Sequence, residues 1–495
     1  MNVDEDQMEI ENIAAQETTR SAWITFDRLI LLALIIISVL AAIVLLFVPE
    51  KIGWALVALP IVIFVCVITI QNPFIGVFGF LTYSNLRPYS FMPFLIPLRL
   101  SMVMEVLTLV AWIVSLAVHK NRIKWSPVHT WFAIFLFPIG LGIITAANNF
   151  YPYEVMQAIM VHFVIFVIAT NVMDSMKRLN LVVWMLLLVY AYFSIKGIHT
   201  FTTGAYTDVT GNTSGRVTGG GFISDENDFA LTINMMVPFA FFGFQYLKGK
   251  AKFVCGGLLV LFVLAVVASF SRGGLVGLAA VVVFGIATSQ RKLIASSIVL
   301  LLLVTMFMFA PDRYWKEAES ISDIGEATAD ARLNYWGAGL NMFLDNPIIG
   351  VGAGNGKIHL PRYYNGPGDP NRHWGRAFHG SWPQILAELG LMGAVPYFMM
   401  LFLSFRHLWL IRRESKDDDD PTGRFLANGL IGSLIAYQVC ATFLSTAYYP
   451  QAYLTYTLVW AFVFCYKATP KNAIGTRKTQ TTNSGQTLPK TNHNP

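Results

Sequence analysis

The chain has 495 residues, 55% of them hydrophobic and 13% charged, with a mean hydropathy of +0.55, which places it outside the composition of soluble globular proteins. Its formal charge of +6 comes from short basic clusters between apolar segments, so it marks membrane orientation and not nucleic-acid binding. The four cysteines, Cys66, Cys255, Cys440 and Cys465, lie inside apolar segments without CxxC spacing, so neither a disulfide framework nor a zinc site is indicated.

In chain order, an acidic segment of 28 residues comes first (Asp4, Glu5, Asp6, Glu9, Glu11, Glu17), and it reads as a soluble tail because a cleavable signal peptide is basic there. Apolar segments follow at 28–48, 53–71, 73–91, 97–118, 128–148, 154–173, 179–198, 229–247, 252–270, 274–290, 293–310, 385–410, 425–446 and 451–467. Most approach the roughly 20 apolar residues that a helix needs to cross the hydrocarbon layer, and strand-like alternation is absent. The expected fold is an all-α polytopic membrane protein of about 12–14 transmembrane helices, the third span being the weakest because Pro73, Pro88 and Pro93 interrupt it.

Charge chooses the side. Lys120, Arg122 and Lys124; Lys177 and Arg178; Lys248, Lys250 and Lys252; Arg291 and Lys292; and Arg412, Arg413, Lys416 and Arg424 all fall on one face with this span count. The C-terminal tail joins them, with Lys471, Arg477, Lys478 and Lys490 in a Thr-, Asn- and Gln-rich stretch that reads as disordered. Positive-inside makes that face cytoplasmic. The organisation expected is a cytoplasmic tail over 1–27, a bundle over 28–310 with an outer loop at 199–228, a large outer loop over 311–384, helices over 385–467, and a cytoplasmic tail over 468–495.

The outer face therefore receives three pieces with chemistry. The first, "GRVTGGGFISDENDFA", carries Arg216 ahead of the helix-start residues Asp225, Glu226 and Asn227, and Arg216 reads equally as a loop charge or a ligand contact. The second is the tight turn "SRGG" at 271–274, whose Arg272 breaks the outer face's shortage of basic residues. A snorkelling arginine is the ordinary reading, but an ionisable group at a membrane boundary is a functional hypothesis by default. The third is the long loop.

Within that loop, residues 312–330 hold six acids, whereas 332–376 holds Arg332, Lys357, Arg362, Arg372 and Arg376 against Asp345 and Asp369. The basic half suits an anionic ligand. Leu333, Trp336, Leu340 and Phe343 recur at helical spacing before Pro347, which predicts an amphipathic helix lying over the bundle. "GVGAGNGK" at 350–357 imitates a phosphate loop, but it lacks the last glycine of the dinucleotide fingerprint and has Ile358 where a P-loop has Ser or Thr, so a structural turn is expected. His379 stands at the threshold of the next span, where a lone histidine is more often a cap than a catalyst.

Taken together, arginines on three outer segments and one histidine form a set that can grip phosphate oxygens in pairs and remove a hydroxyl proton. No HExxH, DxD or carboxylate-rich cluster accompanies them, so no metal and no cofactor is called for. Such a set suits a lipid-linked diphosphate.

The order "GR...G...DEN..A" (Gly215 to Ala230), "SRGG" (271–274), "R...W.....F..NPIIGVGAG" (Arg332 to Gly354) and "HGSWPQILAELGLMG" (His379 to Gly393) resembles the O-antigen ligase and polymerase superfamily, the Wzy_C domain, over roughly residues 200–410. The N-terminal "YSNLRPYSF" at 83–91, with Arg87, is similar to the branch of O-glycosylation ligases found beside exosortase systems. The resemblance implies a metal-independent glycosyltransferase of the bacterial inner membrane that moves a glycan from undecaprenyl diphosphate to an acceptor hydroxyl on lipid A core, a protein or another glycan at the periplasmic face. It implies diphosphate-binding roles for Arg272 and Arg332, joined by Arg216 from the residue reading, and an acceptor-activating role for His379. Gly380 stands where many members have Asn, which leaves the local hydrogen-bonding partner open; Arg376 is left out of the catalytic set. The alternatives are a Wzy-type polymerase, with a second lipid-linked glycan as acceptor, and a transporter of an anionic lipid or solute. The transporter reading needs ionisable groups near the midplane, where Glu105 stands isolated within a span.

Overall fold

The computed structural model describes residues 62–90, 92–203, 225–289, 292–293, 296–297, 330–417 and 420–468. The two tails, the span expected at 28–48, most of the span expected at 293–310, most of the segment carrying Arg216, and nearly all of the acidic half of the long loop lie outside the described residues. Among the described residues there are helices and no strand. These are α1 (Val62–Gln71), α2 (Pro73–Leu86), α3 (Leu100–His119), α4 (Pro127–Thr145), α5 (Phe150–Val172), α6 (Met176–Thr203), α7 (Glu226–Asn234), α8 (Val237–Tyr246), α9 (Lys250–Ala268) and α10 (Arg272–Thr288). They are followed by α11 (330–345), α12 (Gly356–Tyr363), α13 (Ser381–Asp417), α14 (Pro421–Ala441) and α15 (Pro450–Ala468).

Seven stretches among the described residues are helical, long and apolar enough to cross a membrane: α3, α4, α5, α6, the α7–α8 pair, α9 and α13. The chain is an all-α polytopic membrane protein. The weak third span is a helix of only 14 residues, α2, which ends at Leu86 and gives way to two short 3-10 turns, Pro88–Ser90 and Pro93–Leu95. Proline supplies no amide hydrogen to continue the helical ladder, and it biases the residue before it out of the helical region.

The chain divides into two compact units. In the smaller, made of residues up to Gly76 and Val106–Asn121, two buried threonines press on Gly76: a Cβ there would collide with Thr108 and lie 2.7 Å from Thr69. The larger unit, Val77–Glu105 and Arg122 onward, is built around α14 and α15. α14 is packed by α7, α8, α10, α13 and α15, while α15 is packed by α5, α6, α13 and α14. Both helices are therefore buried nearly all round, including polar positions such as Asn428, Ser433, Thr455 and Thr457. The hydroxyls of Thr455 and Thr457 are satisfied within the helix, donating to the carbonyls of Gln451 and Tyr453.

The Gly-rich stretch after Pro347 docks into a break in α13. Gly390 has φ 55° and ψ −157°, a conformation open in practice to glycine alone. The break exposes backbone groups that the loop takes up: the amides of Leu391 and Met392 donate to the carbonyls of Pro347 and Ile348 at 2.8 and 3.0 Å. In return the amides of Val351 and Gly352 donate to Ala387 and Glu388 at 2.9 and 2.8 Å. The buried Glu388 carboxylate accepts from the amides of Gly354 and Gly356 and from the Tyr448 hydroxyl. These loop amides serve a carboxylate of the chain itself, as the structural-turn reading requires. Non-helical backbone at such depth is tolerated because protein groups satisfy it.

A Cβ at position 390 would sit 2.5 Å from the Ile348 carbonyl carbon and oxygen. Gly390→Ala is expected to cost about 3 kcal/mol or more through strain and clash together. Gly257→Ala in α9, where a Cβ meets nothing within 4 Å, serves as its neutral control in thermal unfolding of the purified protein.

Candidate functional site

Four segments converge at one end of the larger unit. α7 begins with Asp225, whose side chain caps it by accepting from the amides of Asn227 (2.7 Å) and Asp228 (3.3 Å). α10 begins with Ser271, whose hydroxyl accepts from the Gly274 amide at 3.0 Å and donates to Asn227 Oδ1 at 2.6 Å. The two helix starts are thus tied together, and Arg272 is the first residue of α10. The glycines of "SRGG" permit the approach. A Cβ on Gly274 would collide with Ala230 of α7, one on Gly277 would collide with Cys440 of α14, and one on Gly273 would press on Phe443 at 3.2 Å.

α11 contributes Arg332. Its buried face is Tyr335, Ala338 and Met342, packed with Leu360, Tyr364, Phe378 and Ala387. This corrects the amphipathic reading: Leu333 and Leu340 of the expected inner face point outward, 60% and 50% exposed, and Leu344 continues that stripe at 63%. Two faces of α11 are apolar, because aromatic and small residues fill the loop core while leucines cover the outside. A leucine stripe left exposed is the kind of surface that lies against lipid.

His379 lies two residues before α13. Its backbone is in the left-handed region, φ 53°, unusual for a residue with a side chain. The surroundings hold it there: Trp336 Nε1 donates to the His379 carbonyl at 3.1 Å, and the Tyr335 ring lies 5.8 Å from the imidazole. A Cβ on Gly380 would lie 2.7 Å from Trp336 Nε1, so the residue after the histidine is glycine because the indole occupies that space. Ser381 next along donates its hydroxyl to the Leu444 carbonyl at 2.7 Å and accepts from the Thr446 amide at 2.8 Å. Trp336 thus holds the His379 backbone, and Ser381 fastens the start of α13 to the linker before α15.

That linker, residues 444–449, is the part of the site that sequence reasoning missed. Besides Ser381 it holds Gln384 through the Ala447 amide (3.4 Å), Glu388 through the Tyr448 hydroxyl (2.8 Å) and Asp228 through the Tyr449 hydroxyl (3.2 Å). It bridges the helices that carry the histidine and the acidic helix start. No motif announces it, since two tyrosines between apolar spans read equally well as membrane-interface residues.

Electrostatics show which charges share this space. Burial and then the Arg272 guanidinium hold Arg332 below the usual arginine range, so the two cations sit within each other's field. Burial, then Arg332 and Arg376, hold the His379 imidazole below the ordinary histidine value, and Asp225 opposes them. The structure thus brings Arg272, Arg332 and His379 together and adds Arg376 and Asp225 to them; Arg216 lies outside the described residues. A half-buried imidazole kept neutral beside two or three guanidiniums can accept a proton while the cations take an anion.

Residues 257–398 match the family model Wzy_C, O-antigen ligase. The match supports the O-antigen ligase family for that stretch. No curated protein matches the chain. The matched residues include Arg272, Arg332, Arg376, His379 and the loop seated in the α13 break, whereas the α7 start, the linker and α15 lie beyond them. That family suggests a glycosyl-transferring enzyme, here in an integral membrane protein.

Burial, and after it Arg332 and Arg376, hold His379 below its ordinary value, so if it serves as a base, activity is expected to fall as pH drops through a midpoint below the ordinary histidine value of about 6.5. Arg376→Gln removes one of those cations, so the acid limb of a pH–rate profile should move up toward that value.

Proposed function

We propose that the chain transfers a glycan from undecaprenyl diphosphate to an acceptor hydroxyl at the periplasmic face of the bacterial inner membrane. The observation that carries this reading is the pairing of Arg272 and Arg332, from separate helices, beside a neutral His379. Two like charges held in a half-buried cleft repel each other, and a diphosphate reverses that cost.

The acceptor hydroxyl gives its proton to His379 as its oxygen attacks the anomeric carbon. The bond from that carbon to the diphosphate oxygen breaks, and the electron pair leaves with undecaprenyl diphosphate. Negative charge grows on the leaving oxygen, so guanidiniums fixed beforehand stabilise the transition state more than the bound donor. Arg216 would add a third guanidinium from the loop before α7. The exposed leucine stripe of α11 would lie against the polyprenyl chain or the surrounding lipid. Lipid A core, a protein or another glycan serves as acceptor.

The test is a reconstitution. Purified chain in liposomes with an undecaprenyl-diphosphate-linked glycan and a hydroxyl-bearing acceptor should release undecaprenyl diphosphate one-for-one with glycosylated acceptor. Movement of intact donor across the bilayer without product would replace this reading with transport.

A further inference from the structure

The proposed base has an uncommon support. Among the described residues the imidazole nitrogens of His379 have no hydrogen-bond partner; its ring meets the ring of Tyr335, 5.8 Å between centroids and 40° between planes. A histidine that serves as base is ordinarily oriented by a third group bonded to its other nitrogen. Here an aromatic ring faces it instead, at a separation typical of favourable aromatic pairs.

Tyr335 is itself held in place. It is buried in the core of the long loop, and its hydroxyl shares a hydrogen bond of 3.0 Å with His373 Nδ1. The Tyr364 ring stacks on the His373 imidazole, 3.7 Å between centroids and 26° between planes, and lies 5.6 Å from the Tyr335 ring. His373 closes the 3-10 turn Pro370–His373, which Asp369 caps by accepting from the Asn371 amide at 3.0 Å. Two residues on, the Gly375 amide donates to the Lys357 carbonyl of α12 at 3.0 Å, so the turn is fastened to the rest of the loop.

Support therefore runs from His373 to Tyr335 to His379. A buried tyrosine hydroxyl needs a partner, and His373 supplies one that also fixes which way the phenol ring faces. A neutral imidazole takes a hydroxyl proton on the nitrogen that lacks one, and it does so efficiently only while the ring keeps that nitrogen within reach of the acceptor. The left-handed backbone of His379 and the indole beside Gly380 restrict where the side chain starts; Tyr335 restricts how the ring turns.

We propose that Tyr335 is the positioning residue of the His379 imidazole, and that His373 acts through it by fixing the tyrosine hydroxyl. The role in transfer rests on His379 being the base of the proposed reaction; the orientation of the ring does not. Neither residue stands in the motifs that mark the arginines and His379.

Two measurements test the positioning apart from the reaction. The first is carbethoxylation of the full chain by diethyl pyrocarbonate at about pH 8, where an ordinary imidazole is neutral. Peptide mass spectrometry reads it site by site, since cleavage after Arg376 parts His379 from His373. Tyr335→Phe and His373→Ala should each speed modification of His379 by about twofold to tenfold, the scale of one neutral hydrogen bond. The double variant should match the singles, because all three lose the same bond. His373→Asn, which keeps a polar atom in the place of Nδ1, should restore most of the parent rate. The second measurement is single-turnover transfer in liposomes: the same variants should lose a similar factor with donor occupancy unchanged, and Tyr335→Phe should add nothing in the His379→Ala background. Modification of His379 at the parent rate in Tyr335→Phe and His373→Ala proteins that melt like the parent overturns the proposal, whatever the transfer result. So does a loss of transfer by Tyr335→Phe that persists in full when His379 is already alanine. Faster modification in a chain that transfers no glycan upholds the positioning and removes the reaction. If Tyr335→Phe fails to fold, His373→Ala decides by the same criterion.

Discussion

His379→Ala is expected to lower glycan transfer by about 10²–10⁴-fold at saturating donor, the span that a positioned general base contributes. The geometry makes the loss specific. The imidazole sits on a left-handed backbone that Trp336 holds through the carbonyl, so truncating the ring removes the proton acceptor without releasing the turn. Donor binding should persist, because Arg272 and Arg332 remain. The measurement is single-turnover transfer in liposomes with donor occupancy determined separately. Transfer within about tenfold of the parent would mean that another group takes the proton.

The second large effect concerns the guanidinium pair. Arg272→Ala and Arg332→Ala should each reduce turnover by about 10²–10³-fold, corresponding to about 2.7–4 kcal/mol of transition-state stabilisation. The double variant should lose less than the product of the two, since both serve the same developing charge. Lysine at either position should rescue little, because an ammonium cannot form the paired contacts of a guanidinium. Stability supplies a second reading of the same variants. Each arginine lies in the other's repulsive field, so removing one should leave the thermal midpoint unchanged or raised while activity falls. A structural arginine would show the reverse, a lower midpoint with activity falling only in proportion to folded protein.

Gly390 illustrates why part of this architecture is hidden in the sequence. "AELGLMG" reads as the interior of an apolar span, and a glycine there signals only close packing. In the structure the helix breaks at that residue, and the break receives the backbone of Pro347 to Gly352. The sequence shows the glycines of the loop and the glycine of the helix but not that they meet, because backbone hydrogen bonds carry no side-chain signature. Glu388 is similar: an acid within a span marks a function or a partner, and only the fold shows that its partners are the loop's own amides.

The apolar periodicity of α11 misled for a different reason. Leu333, Trp336 and Leu340 mark an apolar face, and helical spacing alone assigns the apolar face to the interior. Beside a membrane both surroundings of a helix can be apolar, so the leucines go outward and Tyr335, Ala338 and Met342 go inward.

What the sequence determined by itself was the class of molecule. Runs of apolar residues long enough to cross hydrocarbon force helices, since only intrahelical hydrogen bonds satisfy the backbone there, and the scarcity of charge makes each retained arginine and histidine conspicuous. What only the tertiary structure decided was which of those residues act on one another. Arg376 and Asp225 join the field around His379, the linker at 444–449 fastens two helices, α7 and α13, and Arg87, His162 and Gln451 line one cavity although 75 and 289 residues separate them in turn. Those associations depend on how helices pack, which is set by the shape of many side chains at once and leaves no short pattern in the chain.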